Sequence, residues 1–161
     1  MKRLFVSAAL LTFSLGSYAF AGHMLSGGGE WNSSDGSTGT YTQTLVATHQ
    51  DGSVLIDERI TVGEHVMDFQ FTILPVDDMR YKIQVEGNTV GGGYCWHIGE
   101  HSHELFHGEK ICHSTMKKAD GSWMENSMHI AHGSVHLMGS VWNPATKVHV
   151  AWKGALSSSE D

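Results

Sequence analysis

The sequence predicts an all-β protein: an antiparallel up-and-down meander of about eight to nine strands closed into a barrel, with a two-sheet sandwich as the alternative. Three observations carry this. Apolar and polar residues alternate with period two over most of the chain after Thr40. Turn-forming pairs such as Asp51-Gly52, Gly87-Asn88, Asp120-Gly121 and His132-Gly133 interrupt the alternation at short, regular intervals. No stretch of useful length keeps a helical period. A sheet with one apolar face must close on itself or pack on a second sheet, and short sequential hairpins favour closure.

Taken in order, residues 1–21 read as a secretory signal peptide. Lys2 and Arg3 precede an apolar run, and Ala19-Phe20-Ala21 presents small residues at a cleavage site. The expected compartment is periplasmic or extracellular, and therefore oxidising. Residues 22–39 are rich in Gly and Ser and read as a flexible lead-in. A single barrel domain is expected over 40–156, followed by a polar tail at 157–161. Within it, Tyr41, Leu45 and Ala47 open the alternation, then Val54, Ile56, Ile60 and Val62, then Met67, Phe69, Phe71 and Ile73, then Met79, Tyr81, Ile83 and Val85. Val90, Tyr94, Trp96 and Ile98 continue it, and segments 109–117, 123–130, 135–142 and 147–156 complete it. Gly91-Gly92-Gly93 inside a strand pattern marks a bulge, a corner or a close backbone approach.

The turns imply a register. Two-residue loops at Asp120-Gly121 and His132-Gly133 set Cys112 opposite His129, and His129 opposite His136. One face then carries Cys95, Cys112, His129, His136 and Lys153. The other, with Tyr94, Trp96, Ile111, His113, Met128, Ile130, Val135, Leu137 and Trp152, is the expected core. A slip of one residue would invert this assignment.

Charge narrows the partners. Ten Lys and Arg face 17 Asp and Glu, a formal charge of −7, and loss of Lys2 and Arg3 with the signal makes the remainder more acidic. A nucleic-acid-binding surface, which needs clustered cations, is not expected. No apolar run beyond the signal is long enough for a membrane-spanning helix. Cys95 and Cys112 are the two cysteines, and in an exported chain they are expected to form a disulfide.

Eight of the 12 His lie between His97 and His136. Imidazole binds zinc and copper, so the loop residues His97, His101, His103 and His107 and the cross-strand pair His129/His136 are candidate metal ligands. His103-Glu104-Leu105-Phe106-His107 matches the HExxH pattern, in which two His on one helical face hold zinc and Glu104 is the general base. Gly99 and Gly108 bracket too short a segment for the long helix that such hydrolases use. No catalytic assignment is therefore made, and zinc-dependent hydrolysis stands as the alternative. A third reading is an interaction module whose His-rich loop changes charge near the His pKa of about 6.5.

Gly29-Glu30-Trp31 is similar to the Gly-x-Trp near the first strand of lipocalins, and with the meander it resembles the calycin group of lipocalin-like barrels. That resemblance implies a barrel holding a small ligand in its mouth or lumen. Polar residues aligned with the expected core residues (Glu58 and His113 among them) would then contact the ligand. Tyr81, Tyr94, Trp96 and Trp152 would supply apolar walls with polar tips. The chain is thus expected to be a non-catalytic binder of a small molecule or metal ion.

Overall fold

A computed structural model describes residues 23–98 and 108–158. Ten antiparallel strands run in sequence order around a closed barrel: β1 His23–Ser33, β2 Thr38–Gln50, β3 Ser53–Val62, β4 His65–Pro75, β5 Arg80–Val85, β6 Asn88–Ile98, β7 Glu109–Lys117, β8 Trp123–Ala131, β9 Ser134–Asn143 and β10 Val148–Ser158. Closure comes from β1 pairing with β10, from Leu25↔Ser158 to Ser33↔Val150. Every strand thereby has two partners, and the sheet closes on itself without an edge strand.

The closing strand is the Gly-rich segment expected to be a flexible lead-in. Its glycines suit it to the seam, because the neighbouring backbones come close: a Cβ on Gly29 would lie 1.9 Å from the Lys153 carbonyl oxygen. At the other end of the chain, Ser157 and Ser158, expected in a polar tail, complete β10.

The hairpin turns behave as their residues dictate. Asp51-Gly52 and His132-Gly133 take positive φ at both positions, and the β5–β6 turn falls on Glu86-Gly87, one residue before the expected Gly87-Asn88, again with both φ positive, the backbone that matches two-residue turns to strand twist. The β7–β8 connection is different. Lys117 pairs with Trp123, so residues 118–122 form a five-residue loop tied by Lys118 N–H to Ser122 O and Gly121 N–H to Lys118 O. Cys112 therefore faces Met128 rather than His129. That one-residue difference turns β6 and β7 over relative to the trial register. Cys95, His97, Lys110 and Cys112 point inward, while Tyr94, Trp96, Ile111 and His113 belong to the outer wall. The expected inner face of β8–β10 holds, and His129↔His136 is a true cross-strand pair.

The core fills one half of the barrel. Leu25, Leu45, Ala47, Val54, Ile56, Ile73, Tyr81, Ile83, Ile130, Val135 and Leu156 pack around the Cys95–Cys112 disulfide. These residues lie toward the end that carries the 50–53, 75–80 and 131–134 connections. The two cysteines are directly paired across β6 and β7. Most outward positions on the remaining strands are polar (Thr40, Thr42, Thr44, Asp57, Arg59, Asp68, Gln70), the opposite of a lipid-facing barrel. Among the described residues no helix is long and apolar enough to cross a membrane.

Candidate functional site

Toward the other end, the inward residues are no longer fully packed. Ile60, Val62, Met67, Phe69, Met116, Met124, Val141, Val148, Val150 and Trp152 all point inward yet are only partly buried. Such side chains make this half of the barrel interior, the lumen, the less tightly packed one.

Aromatic rings lie along its wall rather than across it. Trp31 pairs directly with Trp152 across β1 and β10. The Trp31 indole lies over Gly39, where a Cβ would come within 2.8 Å of Nε1. Trp152 lies over Gly139 and the Tyr41 hydroxyl over Gly154, at 2.5 and 2.4 Å from the corresponding Cβ positions. Glycine at these positions leaves the rings room against the backbone, so they line the space instead of plugging it.

Polar groups are set into this lining. Glu58 and Gln43 face inward from β3 and β2, and the Gln43 side-chain amide donates to the Glu58 carboxylate. Burial pushes the Glu58 carboxyl above its ordinary range; the Gln43 hydrogen bond and the Lys118 charge oppose this. Tyr41 is pushed up to about 12 by burial and by the nearby Glu58 charge, so it remains a neutral phenol. The Tyr41 hydroxyl and Trp31 Nε1 are buried and lack hydrogen-bond partners among the described residues. Such groups are costly unless something polar meets them.

The wall around this lumen has a notch. β5 has only 6 residues, and β4 pairs with it only over Thr72–Pro75. His65–Phe71 of β4 are thus paired with β3 alone. Lys118 reaches in beside this gap from the β7–β8 loop, and its Nζ sits 5.4 Å from the Phe69 ring centroid. Phe69 is the direct cross-strand partner of Glu58.

The structure divides the residues expected from sequence. Glu58 and Trp152 belong to the lumen. Tyr81 also faces inward, but it is part of the packed half, with its hydroxyl donating to the His113 carbonyl at 3.4 Å. Tyr94, Trp96 and His113 are corrected to the outer wall. There Tyr94 and Trp96 make an edge-on pair at 4.7 Å and border a shallow cleft of about 500 Å³ with Asp77, Asp78, Met79 and Arg80. A second cleft of about 540 Å³ is lined by Trp31, Gly39 and Trp152 together with Glu30, Asn32, Thr40 and Lys153, so it meets the lumen wall at the Trp31/Trp152 pair. The lumen is the stronger candidate because the buried Tyr41 hydroxyl and Trp31 Nε1 stand there among inward-facing apolar side chains.

The candidate metal ligands are also separated. His97 faces inward near the packed end, whereas His129 and His136 face outward, and His129 Nε2 lies 3.0 Å from Glu109 Oε1. His101, His103, Glu104 and His107 lie outside the described residues. Among the described residues no group of three or more His, Cys, Asp or Glu is placed to hold a metal ion.

The alternation in the sequence sets Tyr41 on the apolar stripe of its strand but does not mark Trp31, Phe69 or Lys118 as site residues. For Trp31 the available signal was its odd-numbered alternation with Gly29 and Gly27. For Lys118 there was none, because its role depends on loop length.

The fold is a closed, ten-stranded up-and-down antiparallel barrel. Among solved structures, the S-type phycobiliprotein lyase of Guillardia theta has a similar fold: TM-score 0.62 over 88% of this chain and 89% of that one, at 8% sequence identity. No family model matches the chain. No curated protein matches it either.

Proposed function

We propose that this protein is an exported, non-catalytic carrier that binds a small, largely apolar molecule in the open half of its barrel. The carrying observation is the set of inward-facing, partly buried apolar side chains around Glu58, Gln43, Tyr41 and Trp31. A core selected only for stability would close over them, as it does in the other half. The similar fold of a phycobiliprotein lyase is consistent with a barrel of this size serving a small-molecule process. Export rests on the basic-apolar-small pattern of residues 1–21, and the disulfide suits an oxidising compartment.

The test is organic extraction of the protein purified from its native compartment, with mass spectrometry of the extract and calorimetric rebinding of what is found. Rebinding at one molecule per chain, weakened in Gly39→Ala, supports the reading. Rebinding unaffected by Gly39→Ala but lost in Trp96→Ala would move the site to the outer wall and refute it.

A zinc or copper site is a second reading, favoured by His129 standing directly opposite His136. Elemental analysis of wild type and His129→Ala/His136→Ala tests it: metal bound by both or by neither removes that pair as ligands.

A further inference from the structure

Resting on the lumen reading above, we propose that the ligand is an amphipathic organic cation, an ammonium head on an apolar body, whose head takes the place of the Lys118 ammonium over Phe69, on the strand position opposite Glu58. Three features converge on that position. Glu58 and Phe69 are direct cross-strand neighbours on the inner face, so a carboxylate and an aromatic face stand side by side. Lys118 Nζ lies 5.4 Å from the Phe69 centroid, which shows that the position accepts an ammonium group. Lys118 arrives from a five-residue loop beside the notch in the wall, so its long side chain can swing to water without any strand unpairing.

The surroundings fit the rest of such a molecule. Ring faces attract cations through their quadrupole, and a carboxylate held by a neighbouring amide gives the head its direction. The Trp31/Trp152 pair and the partly buried Ile60, Met116 and Val150 would cover an apolar body. The overall charge of −7 favours approach of a cation and disfavours an anion. Lys118 then acts as a tethered competitor that occupies the head position until the ligand displaces it.

Three probes that share one body separate the head-group claim from the lumen claim: n-octylamine, 1-octanol and octanoate, titrated calorimetrically at pH 7 into the full exported chain. Octylamine is expected to bind roughly tenfold tighter than octanol, the scale of one charge-assisted hydrogen bond, and octanoate weakest. Lys118→Ala should tighten octylamine several-fold and leave octanol unchanged. Glu58→Gln, close in shape to the original, should erase the amine preference while octanol binding persists. Phe69→Leu should weaken octylamine more than octanol and gives a second route if Glu58→Gln fails to fold. Equal binding of all three probes, or tighter octanoate lost in Lys118→Ala, would overturn the cation inference and leave the lumen reading standing. An amine preference indifferent to Lys118→Ala would overturn the competitor role. No binding of any probe would sink the lumen reading as well.

Discussion

Loss of the Cys95–Cys112 bond should unfold the barrel at a markedly lower temperature. The two residues are 17 apart in sequence and directly paired across β6 and β7. The chain-entropy relation gives about 3 kcal/mol for a closed loop of this length. Both sulfurs are buried, with Cys112 at 0% exposure, so Cys95→Ala/Cys112→Ala also removes core contacts and the total cost should exceed the entropic part. For a chain of this size, about 3 kcal/mol corresponds to a fall in Tm of roughly 10 °C. The assay is thermal and urea unfolding of the oxidised wild type and the double variant, followed by far-ultraviolet circular dichroism. A loss below about 1 kcal/mol with an unchanged urea slope would refute the reasoning, because it would mean the β6–β7 pairing needs no covalent staple.

Other expectations follow from the same structure. Ile56→Ala, at a site with 1% exposure in the packed half, should cost about 2–5 kcal/mol in urea unfolding. Burial raises the Glu58 carboxyl, so the folded state holds its proton more tightly than the unfolded chain. That contribution favours folding at low pH and is lost as pH rises from the unfolded carboxylate range toward the raised folded value. Glu58→Gln should therefore be nearly neutral at pH 4 and stabilising at pH 8; a Tm difference that stays flat with pH would contradict it. Gly39→Ala should push the Trp31 side chain off the wall and weaken lumen binding several-fold with little loss of stability, since the atoms it meets belong to that side chain alone. Equal affinity in calorimetry would show that Trp31 does not border the ligand.

Much of the fold was legible because period-two alternation and positive-φ turn pairs are local signals. Asp51-Gly52 and His132-Gly133 gave their hairpins directly, and the latter fixed His129 opposite His136. The Cys95/Cys112 pairing is legible from the presence of two cysteines and an expected oxidising compartment. Three things were not local. The Gly-rich start reads as a linker, yet at the barrel seam the same glycines permit close strand approach, and that need appears only once β1 meets β10. The inner face of β6 and β7 depends on whether the β7–β8 connection holds two residues or five, and Asp120-Gly121 suggests the shorter one. That choice alone sent Tyr94, Trp96 and His113 to the wrong side. The third is the lumen itself: Glu58 was legible as a polar residue on an apolar face, but its neighbours Phe69, Lys118 and Trp31 come from three other parts of the chain.

The most direct test of the central claim is a ¹H–¹⁵N NMR titration of the five tryptophan indole groups with n-octylamine. Trp31 and Trp152 line the lumen, whereas Trp96, Trp123 and Trp142 are exposed on the outer wall. Saturable shifts of the Trp31 and Trp152 indole signals, with the other three unmoved, are expected. Shifts confined to Trp96, with Trp31 and Trp152 unchanged, would place binding on the outer cleft and contradict it.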